Sequence, residues 1–132
     1  MNYDEDWYNS LEKPKFQPPA WIFAPVWIFL YILMSVAFVL VLISPFKWTN
    51  LFAYLLFVVQ IIINLSWSPA FFKEHNLRKA FLLAVLLTLL VFITMLIFFS
   101  ISVLAGILFL PYFFWCAFAT ALSFHILELN EW

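Results

Sequence analysis

The sequence predicts an all-α membrane protein with four transmembrane helices, and three observations predict it. Hydrophobic residues make up 67 % of the chain and charged residues 10 %, whereas a soluble domain keeps about 25 % charge to face water. The mean hydropathy is +1.07. The apolar runs are long enough to cross a bilayer but lack the alternation of strands, and in lipid only helices or closed barrels satisfy their own backbone. One domain spanning residues 1–132 is expected. The net charge of −1 offers no footprint for nucleic acid. Residues 1–12 are acidic, opposite in sign to the start of a signal peptide, so no cleavable leader is expected.

The first helix is predicted over 20–43. Pro18 and Pro19 suit the approach to a helix and its first turn, where amide hydrogens lack partners anyway. Pro25 lies deeper and removes the donor for the Trp21 carbonyl. The second helix is predicted over 50–72, following the apolar run Leu51–Phe72. From Ala80 to Leu127 there is no Asp, Glu, Lys or Arg. As one helix this run would extend roughly 72 Å, over twice the hydrocarbon core. It must fold back, and Ser100-Ile101-Ser102 is the polar interruption near its middle. The third and fourth helices are therefore predicted over 77–99 and 102–128.

Charge sets the expected orientation. Lys13, Lys15, Lys73, Arg78 and Lys79 fall on one side of such a bundle and Lys47 on the other. The positive-inside rule then places both termini in the cytoplasm. Trp7, Trp48 and Trp132, with Tyr3 and Tyr8, read as an interfacial aromatic belt.

Trp27, Trp67 and Trp115 lie within spans instead. Trp27 and Trp67 belong to the cytoplasmic half of the bilayer, with Trp115 near its middle. Gln60, Asn64, Trp67 and Phe71 share one stripe of the second helix. Amides avoid lipid, so the stripe faces protein or a cavity. Two readings follow: bonds to neighbouring helices, at about 0.6 kcal/mol each, or contact with a ligand. Pro25, Pro69 and Pro111 are expected to kink three helices and open space between them. Together these features favour an aromatic-lined cavity for a flat apolar ligand.

Catalytic groups are scarce. No carboxylate or lysine lies within a span to relay protons. His125 and Glu128 are too few for a metal and read as an interfacial pair. Ser66, Ser68 and Thr120 have no base partner. With Gly106 as the single glycine, a phosphate loop is excluded. Cys116 has no second cysteine with which to form an internal disulfide.

Three motifs carry a resemblance. Glu12-Lys13-Pro14-Lys15-Phe16-Gln17-Pro18-Pro19 is followed by Trp21, Phe23, Pro25-Val26-Trp27 and Leu30-Tyr31. Gln60-x-x-x-Asn64-x-x-Trp67 precedes Phe71-Phe72. Leu110-Pro111-Tyr112-x-x-Trp115-x-x-Phe118-Ala119-Thr120-x-Leu122 leads to Asn130. In this order and spacing they resemble the TspO/MBR family (translocator protein, tryptophan-rich sensory protein, peripheral benzodiazepine receptor). They match its long loop and second helix, its third helix and its fifth. The resemblance implies a TspO-like bundle lacking the family's first helix, in a bacterial cell membrane. It implies that Trp27, Asn64, Trp115, Ala119 and Leu122, with Phe23, Ala24 and Val26, line a pocket for porphyrins and benzodiazepine-type compounds; Gln60 and Trp67 join them from the amide stripe. Porphyrin is then a ligand and no cofactor is expected.

Departures from the family pattern are specific. Phe124 and Glu128 stand where a sterol-recognition pattern wants Tyr and a basic residue. Ser123 replaces the usual Asn. The small residues that support dimers through the family's third helix are replaced by Leu55, Val59 and Ile63. The expected function is a membrane receptor or regulator that binds tetrapyrroles. The alternatives are a light-dependent porphyrin-degrading enzyme using Trp27 and Trp115, a transporter of porphyrin or lipid, and a structural protein without ligand. Ala80, Ala84 and Thr88 form a row of small residues, repeated by Ala117 and Ala121. These rows either meet inside the chain or leave one free for a homodimer that covers the missing wall.

Overall fold

The computed structural model describes residues 20–68 and 77–130, with side chains described for 24–67 and 77–128. Four helices account for nearly all of them: α1 (Ala20–Leu42), α2 (Trp48–Ser68), α3 (Leu77–Ile101) and α4 (Val103–Asn130). Each contains a stretch long and apolar enough to cross a membrane. The loop motif 12–19, the side chains of Trp21 and Phe23, Pro69, Phe71, Phe72 and Lys73 lie outside the described residues. So do Tyr3, Trp7, Tyr8, Lys13, Lys15 and Trp132.

The buried residues on each helix repeat at steps of three and four. Leu30, Met34, Ala37 and Val41 form the seam of α1. Asn50, Ala53, Gln60 and Asn64 form that of α2. Leu77, Ala80, Ala84, Leu87, Val91, Thr94 and Phe98 form that of α3, and Ala105, Phe109, Tyr112, Cys116, Ser123 and Ile126 that of α4. This is the spacing of left-handed bundles with knobs-into-holes packing. The opposite faces carry Ile28, Phe29, Ile32, Leu55, Ile62, Leu82 and Leu89, all exposed. Facing lipid costs these side chains nothing. Small and polar residues, rather than greater apolarity, mark the inward face.

Helices α3 and α4 form the closest pair; α2 packs on α3 and α1 on α4, while α1 touches α2 and α3 only sparsely and α2 and α4 approach each other least. The α3–α4 turn is tighter than the two-residue gap at 100–101 expected from sequence, and it falls at Ser102, which alone is non-helical. Its N–H still donates to the Phe98 carbonyl at 2.8 Å, and its own carbonyl accepts from the Gly106 N–H at 3.1 Å. The Ser102 hydroxyl accepts from the Ala105 N–H at 3.3 Å and so caps α4. One residue thus ends one helix and starts the next. Gly106 makes this turn fit: a Cβ there would stand 2.3 Å from Phe99 Cγ.

At the end of α1 the Ser44 hydroxyl donates to the Leu40 carbonyl at 2.7 Å. Pro45 follows and cannot continue the ladder. Pro25 and Pro111 sit within α1 and α4, which run on through them with the proline rings exposed.

The half of the bundle near the α1–α2 and α3–α4 turns is filled by aromatic rings. Phe38 stacks on Phe57 with centroids 4.3 Å apart, bridging α1 to α2. Phe98 meets Phe109 at 4.8 Å, and Phe109 meets Tyr112 at 5.6 Å. The other half is less full, and the cavity lies there.

Candidate functional site: an aromatic cavity in one half of the bundle

The cavity has a volume of about 240 Å³ and draws walls from all four helices. Helix α1 supplies Trp27 and Tyr31, which are one turn apart and so share a face. Helix α2 supplies Asn64, Leu65 and Trp67; α3 supplies Ala84 and Leu87; α4 supplies Cys116 and Ala119. Small residues on α3 and α4 leave the space that indole and phenol rings border on α1 and α2. Among the described residues none that lines it is charged. Its means of holding a guest are therefore aromatic faces, dispersion and a few neutral hydrogen-bonding groups.

Two of those polar groups, Tyr31 and Asn64, belong to one chain of bonds. The Tyr31 hydroxyl donates to Asn64 Oδ1. Asn64 Nδ2 donates to the Tyr112 hydroxyl at 2.9 Å, and that hydroxyl donates to Gln60 Oε1 at 2.6 Å. Gln60 Nε2 ends the chain 3.8 Å from Met34 Sδ. Gln60 and Tyr112 are fully buried and Asn64 nearly so. In lipid, where water cannot substitute, such a chain joins α1, α2 and α4 and holds Asn64 and Tyr31 at the cavity wall.

A second polar cluster fastens α3 to α4 beside the cavity. The Thr88 and Thr120 hydroxyls lie 2.8 Å apart, and the Ala84 carbonyl is within reach of both, at 2.8 and 3.1 Å. Ala80 and Ala84 are buried within the chain. The Ala80–Ala84–Thr88 row that the sequence offers to a second copy is thus turned inward, with Thr88 meeting α4. Ala121 on α4 is exposed.

Of the residues named from sequence, Trp27, Asn64, Trp67 and Ala119 border the cavity. Gln60 stands behind it, reaching Asn64 only through Tyr112. Trp115 is outside the lining and meets Trp27 edge-on, centroids 6.4 Å apart. Leu122 is buried, and Ala24 and Val26 are half-buried, also outside the lining. Tyr31, Leu65, Ala84, Leu87 and Cys116 line the cavity without having been singled out as site residues. The spacing of Tyr31 from Trp27 was the available signal for one of them. Leu65, Leu87 and Cys116 carried none, because an apolar residue looks the same on either face of a membrane helix.

Residues 1–129 match the TspO/MBR family model. The chain is 42 % identical over 127 residues to Protein CrtK of Rhodobacter capsulatus, covering 94 % of this chain and 78 % of that protein. It is 38 % identical over 125 residues to Tryptophan-rich protein TspO of Chlorobaculum tepidum, covering 94 % and 79 %. It is 32 % identical over 127 residues to Translocator protein of Ovis aries, covering 95 % and 75 %.

Proposed function

The chain belongs to the TspO/MBR family and is an integral membrane protein, and from that premise we propose that it is a receptor or regulator that binds tetrapyrroles or similar flat apolar molecules within the bilayer. The observation that carries this reading is the cavity itself: indoles of Trp27 and Trp67 and the phenol of Tyr31 surround an uncharged space at the level of the membrane. Flat π-faces favour flat π-ligands, each good stacking or edge contact adding about 0.5–1.5 kcal/mol beyond area burial. A volume of about 240 Å³ suits part of a tetrapyrrole, with the remaining rings extending out of the cavity. Among the described residues none that lines the cavity is charged, which favours binding over proton-coupled transport.

Titration of the purified protein in nanodiscs with protoporphyrin, read by tryptophan quenching, tests the proposal. Saturable quenching above the level of empty nanodiscs supports it. Quenching that rises only in proportion to porphyrin partitioned into lipid refutes it.

A further inference from the structure

The buried hydrogen-bond chain has a direction, and that direction is set outside the cavity lining, at a thioether. Gln60 is fully buried and one end of its amide faces Met34 Sδ, itself buried. Sulfur in a thioether accepts weakly and cannot donate. An amide oxygen there would set lone pair against lone pair, so the nitrogen faces sulfur and Oε1 faces Tyr112. Since Oε1 can only accept, Tyr112 donates to it at 2.6 Å. A hydroxyl has one proton, so Tyr112 shows a lone pair to Asn64, whose Nδ2 donates at 2.9 Å. The Asn64 Oδ1 is thereby left facing Tyr31, which donates in turn. The single proton of Tyr31 is engaged there. What its oxygen retains toward the cavity is acceptor capacity alone.

We propose that the cavity selects flat ligands bearing an N–H or O–H donor on one edge, docked on the Tyr31 oxygen, and that Met34, which does not line the cavity, sets this preference. The inference rests on the ligand-binding reading above and names the chemistry such a ligand must present. Asn64 keeps one amide proton, but at 7 % exposure it is less reachable than the half-buried Tyr31. A ligand that only accepts obtains a proton from Tyr31 only if the whole chain reverses, which turns the Gln60 oxygen onto Met34.

Three isosteric tricycles test this: carbazole with an N–H donor, dibenzofuran with an acceptor oxygen, and fluorene with neither. Wild-type protein in nanodiscs should bind carbazole roughly tenfold more tightly than dibenzofuran, the worth of one buried hydrogen bond. Tyr31→Phe should make the three bind alike. Met34→Leu conserves volume and frees Gln60 to turn, so its carbazole-to-dibenzofuran ratio should fall toward one. Fluorene affinity unchanged from wild type shows that the variant cavity is intact. Equal binding of the three by wild type, preference for dibenzofuran, or a full ratio surviving in Met34→Leu with intact fluorene binding overturns the inference while the cavity reading stands. Failure of wild type to bind any of the three removes both.

Discussion

Trp27 meets Trp115 edge-on, with ring centroids 6.4 Å apart and planes at 85°. Of the two, only Trp27 borders the cavity; Trp115 contacts it from outside and packs near Phe118 at 5.6 Å. The pair therefore divides into a cavity-facing indole and a supporting one. Replacing Trp27 with Phe removes the larger π-face from the ligand, which should weaken porphyrin binding by on the order of 1 kcal/mol. Trp115→Phe, acting only through Trp27, should cost less. A titration series over both variants checks this, and a greater loss in Trp115→Phe would reverse the assignment.

Ala84 decides whether the cavity is open. Its methyl lies on the α3 wall, so Ala84→Leu places three further carbons in the space. Porphyrin affinity should fall by tenfold or more, an estimate from overpacking costs of about 1–3 kcal/mol. The helical circular dichroism should persist. Full affinity in a folded Ala84→Leu protein would mean that the ligand sits elsewhere.

Gly106 should be intolerant of even one methyl. The added carbon would meet the Phe99 ring at 2.3 Å, and the tight turn at Ser102 leaves the two helices little room to part. Gly106→Ala is expected to destabilise the protein by about 1–3 kcal/mol, measured by denaturant unfolding in bicelles. Adding Phe99→Ala should recover part of that loss, and a double-mutant cycle without coupling would contradict the contact.

The basic residues predict an orientation that labelling can test. With Cys116 replaced by Ala, a cysteine at Arg78 should react with impermeant reagents from the cytoplasmic side and one at Lys47 from the opposite side. Both residues are exposed. Labelling of the two from the same side would break the α2 crossing, and labelling with reversed sidedness would invert the bundle.

The fold was legible because bilayer length and hydropathy leave few choices. Helix ends came within about two residues wherever residues are described, and the fold-back point was visible because Ser100 and Ser102 interrupt a long apolar run. Helix facing was legible only where a residue is polar. Gln60 and Asn64 had to turn inward, and they did. Tyr112 belongs to a family motif but carries no site assignment from sequence, because its ring suits lipid, core or interface equally; its role appears only once Asn64 and Gln60 are seen on either side of its hydroxyl. Ala84 is open in the sequence to contact inside the chain or with a second copy, because a row of small residues signals close approach without naming the partner. Here the partner is α4.

The single native cysteine provides the most direct test of where a ligand sits. Cys116 lines the cavity and is 2 % exposed, so a small methanethiosulfonate reagent must enter the cavity to reach it. Reaction of the wild-type thiol in nanodiscs should be slow but measurable, and saturating protoporphyrin should suppress it. A labelling rate that stays the same from zero to saturating porphyrin would contradict binding in this cavity.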